Sequence, residues 1–255
     1  MNLLIALLMG IQGAELPQLT PTYLYEQRNR KVAKGAGVAG FERCEIRLDM
    51  TKIQDVRSYG NLNITKATTN TGVNLIRGPK DNNAFFGTTN IPTFRKVSTY
   101  QTKSGKIRIK IILNKTPREA TILNVQGSVD VLLGGKTVNV DFAGLQKLQQ
   151  TKLVHKKFQE GGLRLRMKRF YGQSRFTMIA EGNNSIVSDI SVVDKTGKTI
   201  SSRTSVYTWG RRPDETEYTV NCPSPIPVDA KLRVTIFEGG KLQSLPIQLN
   251  KVKLQ

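Results

Sequence analysis

Residues 129–142 read VDVLLGGKTVNVDF, and residues 234–247 read VTIFEGGKLQSLPI. In both segments strand-forming residues flank a Gly-Gly-Lys, and Val234 lies 105 residues after Val129. Two adjacent glycines supply the positive φ angles that a two-residue hairpin turn requires, and a repeat with the period of a domain indicates two related units. The pattern predicts a β-hairpin at each Gly-Gly and two tandem β-sandwich modules.

Two further segments, residues 106–111 and 163–168, alternate strictly between basic and apolar side chains. A period of two is the signature of a strand with one buried face and one solvated face. Short strands separated by turn residues recur along the chain, and no long segment has a helical period. The sequence therefore predicts an all-β fold of two tandem immunoglobulin-like β-sandwich domains. An OB-type barrel in each module is the alternative.

The expected organisation has four parts. Residues 1–14 hold an apolar run followed by small residues, which is typical of a secretory signal peptide; a buried strand or helical turn is the alternative. Residues 15–40 are polar and predict a flexible lead-in. Residues 41–148 then form the first β-sandwich domain and residues 149–255 the second. No stretch approaches the roughly 20 apolar residues of a membrane span, so we expect no transmembrane segment.

The chain has two cysteines, Cys44 and Cys222. In an exported protein a disulfide between them would tie the first module to the second. The alternative is two buried thiols that pack as small apolar side chains. Their spacing along the chain does not decide between the two, because a bridge requires the Cα atoms to approach within about 7 Å.

The chain carries 39 Lys and Arg against 19 Asp and Glu, a formal net charge of +20. A field of this sign attracts polyanions such as nucleic acid, anionic lipid or acidic polysaccharide; a basic composition without a specific site is the alternative. The basic residues of the two alternating strands and of a neighbouring Lys-Lys pair form the candidate polyanion-binding set: Lys106, Arg108, Lys110, Lys156, Lys157, Arg164, Arg166 and Lys168.

Aromatic residues are interleaved with the second half of this set, at Phe158, Phe170, Tyr171 and Phe176. Cationic strands with exposed aromatic rings bind a single strand of nucleic acid through stacking and phosphate contacts. The alternative is that the rings fill the core, and that the Lys and Arg rows are solvated faces that prevent edge-to-edge pairing.

Residues that would indicate an enzyme are scarce. The chain has a single histidine, His155, and contains no Gly-x-Ser-x-Gly, P-loop or dinucleotide-binding motif. We therefore expect His155 to be an exposed strand residue rather than a catalytic base. One histidine and two distant cysteines do not form a usual zinc-binding set, so we expect neither enzymatic activity nor a metal or other cofactor.

The C-terminal part of the chain resembles a known group of proteins. Residues 225–237 (PIPVDAKLRVTIF), 245–254 (LPIQLNKVKL) and 125–133 (VQGSVDVLL) are similar to segments of uncharacterised secreted β-sandwich proteins of planctomycete-type bacteria. The resemblance covers roughly residues 105–255. It implies an exported β-sandwich protein, and it transfers no site because those proteins have no established activity.

These patterns predict a non-enzymatic, exported binding or structural module of the cell envelope or the extracellular space. We expect any ligand to be an anionic polymer or surface that contacts the Lys/Arg-rich strands, rather than a small molecule. The alternative from another functional class is an intracellular nucleic-acid-binding protein, in which the N-terminus would remain uncleaved and the cysteines reduced.

Overall fold

A computed structural model describes residues 16–27, 43–77, 94–208 and 215–254; the expected signal peptide lies outside these ranges. Within them the α-helices are two short ones, α1 (Thr99–Ser104) and α2 (Lys156–Glu160). The strands are β1 (Gln18–Gln27), β2 (Arg43–Thr51), β3 (Val56–Thr69), β4 (Arg95–Lys96), β5 (Ile107–Leu113), β6 (Ile122–Leu133), β7 (Lys136–Phe142), β8 (Lys152–Leu153), β9 (Leu163–Tyr171), β10 (Arg175–Gly182), β11 (Val187–Val193), β12 (Arg203–Thr208), β13 (Glu215–Asn221), β14 (Lys231–Glu238) and β15 (Lys241–Lys253). The predicted all-β class is confirmed, whereas the immunoglobulin-like character stays a prediction.

The strands form four antiparallel sheets that enclose two apolar cores. Sheet I has the order β1-β2-β5 and sheet II the order β15-β6-β3-β4, and side chains from both make up the first core. Sheet III, with the order β11-β14-β7, and sheet IV, with the order β12-β13-β10-β9-β8, make up the second core. Each core is therefore the interior of a two-sheet sandwich.

The alternating strands behave as their period predicts. In β5 the inward residues Ile107, Ile109 and Ile111 are at most 6% exposed, while Arg108 and Lys110 between them point outward. Burial of an isoleucine side chain is worth about 1.5–3 kcal/mol, so a slip of one residue in register would bring cations into the core. The apolar alternation thus fixes which face of this strand is buried.

The two Gly-Gly segments do not form hairpins, which corrects the prediction from the repeat. β6 and β7 flank Gly134-Gly135, yet β6 pairs with β15 and β7 pairs with β14. β14 and β15 likewise flank Gly239-Gly240 without pairing with each other. The two copies of the repeat are instead partners in one long antiparallel ribbon that runs from the first sandwich into the second, here called the crossing ribbon.

The register of the crossing ribbon continues through the glycines. Lys241 lies opposite Leu133, and Glu238 lies opposite Lys136, so the four glycines face one another between these pairs. A Cβ atom on Gly135 would lie 2.9 Å from the backbone nitrogen of Gly240, which is closer than real Cβ contacts allow. Gly135 is therefore required because two backbones pass each other here without space for its side chain. Gly134 and Gly239 have open space around them, and their positive φ angles of 65° and 75° are what favours glycine there.

Each sandwich contains a strand from the other half of the chain. β15, from the C-terminal end, completes sheet II of the first sandwich, and β7 lies in sheet III of the second. The two cores therefore divide at Gly134-Gly135 and again at Gly239-Gly240, whereas the domain boundary expected from the sequence lies between residues 148 and 149. The difference arises because strand pairing over long separations cannot be read from local patterns.

The two cores lie on opposite faces of the crossing ribbon. Val129 and Val131 of β6 point into the first core. Leu132, which is the next residue toward the glycines, belongs to the second core. Successive side chains of a strand point to opposite faces, so the second sandwich packs on the side of β6 that faces away from the first core. Ser58, paired with Leu132 in sheet II, donates a hydrogen bond of 2.8 Å to the carbonyl oxygen of Ser185.

One other expectation differs from the structure, and the alternatives that the sequence left open for the two cysteines are also decided. Residues 18–27, which were expected in a flexible lead-in, form the ten-residue strand β1 at the edge of sheet I. No disulfide joins the two cysteines in the structure, because Cys44 is buried in the first core while Cys222 packs against the second. The thiols of Cys44 and Cys222 therefore belong to separate apolar environments.

Replacing Gly135 with alanine should weaken the fold more than the same change at Gly72. Both glycines have positive φ angles, 82° and 81°, so each substitution carries a conformational penalty of about 1–2 kcal/mol. A Cβ atom at Gly72 meets open space, whereas one at Gly135 meets the partner backbone. We expect Gly135→Ala to lose roughly 2 kcal/mol more than Gly72→Ala in urea unfolding. Equal losses would show that the crossing tolerates a side chain.

Candidate anion-binding faces

The outer face of sheet I, called face I, points away from the first core. Its charged and aromatic side chains are Tyr23, Tyr25, Glu45, Arg47, Asp49, Lys106, Arg108 and Lys110. The basic row predicted from the sequence is here, but it is paired with acidic residues of the neighbouring strand β2. Lys106 and Arg108 each lie 3.2 Å from Asp49, and Lys110 lies 3.7 Å from Glu45.

The two carboxylates of face I are covered by the cations. Glu45 is 2% exposed and Asp49 is 7% exposed. Burial raises the pKa of Asp49, but the hydrogen bonds and the positive charges of Arg108 and Lys106 together outweigh it and hold the pKa below its usual value. These cations therefore stabilise buried negative charge, and part of the row's positive potential is cancelled.

Tyr23 gives face I an exposed aromatic ring. The guanidinium carbon of Arg47 lies 4.5 Å from the Tyr23 ring centroid, and the parallel ring of Tyr25 lies 6.4 Å away. Tyr23 is 45% exposed. Arg47 also forms an ion pair of 2.7 Å with the buried Glu45, so its charge is neutralised like that of the basic row. β1 lies in the segment whose polar composition predicts a flexible lead-in, so its tyrosines carry no signal in the sequence pattern.

The outer face of sheet IV, called face IV, carries the second predicted basic row. Its charged side chains are Lys152, Arg164, Arg166, Lys168, Arg169, Arg175, Glu181, Arg203, Glu215 and Glu217, and Tyr171 lies at its end. Arg164 and Arg166 lie 3.3 Å and 3.6 Å from Glu181. Lys168 donates a 2.7 Å hydrogen bond to Glu217, which is largely buried. The predicted row is therefore paired with carboxylates here too.

A different part of face IV retains unpaired positive charge. The guanidinium carbons of Arg169 and Arg175 lie 5.1 Å and 5.0 Å from the ring centroid of Tyr171, which is 41% exposed. Arg175 lies opposite Asn221, which in turn lies opposite Arg203, so the cations form a row across three strands. Within the described residues none of these three arginines contacts a carboxylate.

The sequence patterns place Tyr171 among the interleaved aromatic residues, but they single out neither Arg169 nor Arg175. The available signal is the short turn after Tyr171, which closes a β9–β10 hairpin and brings residue 175 opposite residue 171. The other interleaved aromatic residues fit the alternative in which the rings fill the core. Phe158 and Phe176 are fully buried in the second core, and Phe170 packs against it.

The predicted basic residues of α2 lie elsewhere. Lys156 pairs with Glu160 on the same helix at 3.6 Å, and Lys157 lies 3.1 Å from Glu238 of the crossing ribbon. His155 is not a strand residue, which corrects the expectation. It is the N-cap of α2, and its half-buried ring accepts a hydrogen bond of 3.2 Å from the backbone N–H of Lys157 at Nδ1.

Beside His155, at the edge of sheet IV, lies a cleft of about 310 Å³. Leu153, Val154 and Phe158 give it an apolar wall, and Arg164 and Glu181 form its rim. Across the described ranges no three His, Cys, Asp or Glu side chains come together as a metal-binding group. None of the helices described is long and apolar enough to span a membrane.

Comparison with known proteins yields no matching family model, no matching curated protein and no matching solved structure. Conclusions about function therefore depend on the chemistry of the two faces. Of these, face IV has the larger set of cations without acidic partners, and face I has the more fully neutralised row.

Replacing Asp49 with asparagine should destabilise the protein at neutral pH and have little effect in acid. A carboxyl whose pKa is lowered by folding contributes stability above its unfolded pKa of about 3.9, and this contribution is lost as the pH falls through the folded pKa. We therefore expect the difference in unfolding free energy between wild type and Asp49→Asn to be present at about pH 7 and absent near about pH 2.

Asp229→Asn provides the control for this measurement, because Asp229 is exposed and forms no ion pair in the described part of the chain. Its substitution should change the unfolding free energy little at either pH. A pH-independent loss in Asp49→Asn would contradict an ion-pair role and indicate a packing defect instead.

Proposed function

We propose that this protein is a non-enzymatic binding module for polyanions and that face IV is its contact surface. The observation that carries the proposal is Tyr171, an exposed ring with the guanidinium carbons of Arg169 and Arg175 at 5.1 Å and 5.0 Å from its centroid. Guanidinium groups bind phosphate and carboxylate oxygens in bidentate geometry. Two such groups on an aromatic ring, with Arg203 in the same row across the sheet, form a surface to which successive anionic groups of a polymer can bind.

The balance of charge on face IV supports this choice. Its seven cations stand against three carboxylates, two of which, Glu181 and Glu217, contact Arg164, Arg166 and Lys168. Within the described residues, the cations of this face without a carboxylate partner are therefore the three arginines near Tyr171 and, on the edge strand β8, Lys152. The net charge of +20 adds a long-range attraction that brings a polyanion to this surface and falls with ionic strength.

As part of the proposal, the module acts outside the cytoplasm, at the cell envelope or in the extracellular space. The apolar residues at the N-terminus and the resemblance to secreted β-sandwich proteins support this location. The natural ligand is then an anionic polymer of the cell surface or its surroundings. An intracellular nucleic-acid-binding protein is the second candidate, and the exposed ring of Tyr171 favours it because bases stack on aromatic side chains.

The double variant Arg169→Gln/Arg175→Gln should weaken polyanion binding more than Arg164→Gln/Arg166→Gln, although each removes two positive charges. The first pair has no carboxylate partner, whereas the second pair neutralises Glu181. We expect about a tenfold or greater loss for the first pair and less than about threefold for the second. Binding is measured by anisotropy with a labelled oligothymidylate of about 15 nucleotides and with polygalacturonate, each at two salt concentrations.

Equal losses in the two double variants would show that only total charge matters and would remove the Tyr171 site. For the oligonucleotide, loss of two phosphate contacts should also reduce the salt slope by about 1.4. Absence of binding by the wild-type protein to either polymer would overturn the proposed function.

Replacing Tyr171 with serine should separate the two candidate ligand classes. Loss of one base-stacking platform costs about 1–3 kcal/mol, whereas a polysaccharide held mainly by its carboxylates should lose much less. We therefore expect Tyr171→Ser to reduce oligonucleotide affinity at least about fivefold if nucleic acid is the ligand. Similar small losses for both polymers would argue against nucleic acid and for the anionic polysaccharide.

A further inference from the structure

We infer that the cleft beside His155 binds a small organic acid, a monocarboxylate with an apolar body. The inference goes beyond the proposed function, because the cleft lies at the edge of sheet IV and holds a molecule rather than a polymer. Three features support it: an apolar wall, a rim lysine that has no acidic partner in the described residues, and a histidine whose ring retains a free donor there.

The cleft exists because β8 ends early. β8 pairs with β9 through two residues, Lys152 and Leu153. The chain then turns at His155 into α2, so within the described ranges no strand covers the edge of β9 at Leu163. The remaining space of about 310 Å³ is lined by residues of β8, α2 and β9. Its volume is at the small end of the range that ligand pockets occupy.

The wall of the cleft is apolar. Leu153, Phe158 and Leu163 form part of the second core and are at most 5% exposed. Val154 lies beside them but is 70% exposed. An apolar group in the cleft would cover Val154 and remove its side chain from water, which favours binding.

Lys152 supplies positive charge that no carboxylate neutralises. It lies directly opposite Arg166 in the β8–β9 pair, on the same face of the sheet, and like charges in this position destabilise each other. Arg164 and Arg166 contact Glu181 at 3.3 Å and 3.6 Å, whereas the exposed Lys152 contacts no carboxylate among the described residues. An anionic group at Lys152 would relieve this repulsion.

His155 offers a hydrogen-bond donor to the same ligand. In a neutral imidazole one nitrogen accepts and the other donates. Nδ1 accepts from the backbone N–H of Lys157, so the proton lies on Nε2. Within the part of the chain that the structure describes, this Nε2–H has no acceptor. A carboxylate oxygen in the cleft would be a suitable partner.

The charge balance and the size of the cleft decide which ligand fits. Its lining holds three cations, Lys152, Arg164 and Arg166, against the carboxylate of Glu181, so positive charge is in excess. A neutral molecule would leave Lys152 unpaired, and a polymer would not fit into the volume. A monocarboxylate places its anionic group at Lys152 and its apolar body against Val154.

The inference is tested by titrating the isotope-labelled protein with phenylacetate and following the backbone amide signals by NMR. Phenylacetamide keeps the ring without the charge, and acetate keeps the charge without the ring. We expect phenylacetate to shift the signals of residues 152–166 with a dissociation constant of about 1 mM or below. The other two molecules should bind at least about fivefold more weakly.

Two pairs of matched variants locate the site. Lys152→Gln should weaken phenylacetate binding at least about threefold. Its control is Lys156→Gln, which removes the same charge from an exposed residue that pairs with Glu160 and does not line the cleft; it should change the affinity less than about 1.5-fold. Val154→Ser should weaken binding at least about twofold, whereas Val228→Ser, at an 82% exposed valine outside the cleft, should not change it.

A further variant, His155→Ser, tests the ring donor. Serine is itself a good N-cap residue, so α2 keeps its cap while the Nε2–H is lost. We expect phenylacetate binding to weaken at least about twofold, with the amide signals of residues 156–160 retained.

Three results would overturn the inference. Equal affinity for phenylacetate and phenylacetamide would show that the cleft does not recognise a carboxylate. Equal effects of Lys152→Gln and Lys156→Gln would show that net charge alone attracts the anion. The third is the absence of shifts in residues 152–166 at about 10 mM phenylacetate. None of these results bears on the proposed function of face IV, which is measured by polymer binding.

Discussion

The passage of two chain segments between the sandwiches, through four glycines, is the constraint on which the rest of the structure depends. Sheet II is incomplete without β15, and sheet III is incomplete without β7, so each core contains side chains that reach it only through the crossing. The backbones approach so closely that a Cβ atom on Gly135 would contact Gly240 and Glu238 of the partner segment. The crossing also places the cores on opposite faces of one ribbon, which sets the directions of faces I and IV.

The charged faces follow a common physical pattern. Cations on one strand cover carboxylates of the next, as Lys106 and Arg108 cover Asp49 and as Lys168 covers Glu217. Burial of a carboxylate is unfavourable unless it is paired, so these cations are part of the sheet's own stability. Only cations outside such pairs are available to a ligand. On face IV these include the arginines near Tyr171, and the exposed ring beside them is why the proposed site lies there and not on the most regular row.

The sequence predicted the strands that carry the basic residues, but it did not predict the carboxylates that pair with those residues. Alternation in residues 106–111 and 163–168 correctly identified strands with basic outer faces, because a period of two is a local property. It could not show that Glu45 and Glu181 lie beside those cations, since both belong to other strands. His155 illustrates the same limit: its capping of α2 depends on a turn of five residues that is too short to produce a helical period.

By itself the sequence determined the all-β class, the buried face of each alternating strand and the existence of two related Gly-Gly segments. Only the tertiary structure decided what those segments do. Adjacent glycines adopt positive φ equally well in a hairpin turn and in a crossing between sheets, so the local preference is the same for both. The choice depends on whether β6 buries its valines by pairing with β7 or with β15. Packing of the two cores determines which pairing forms, and the residues of these cores come from distant parts of the chain.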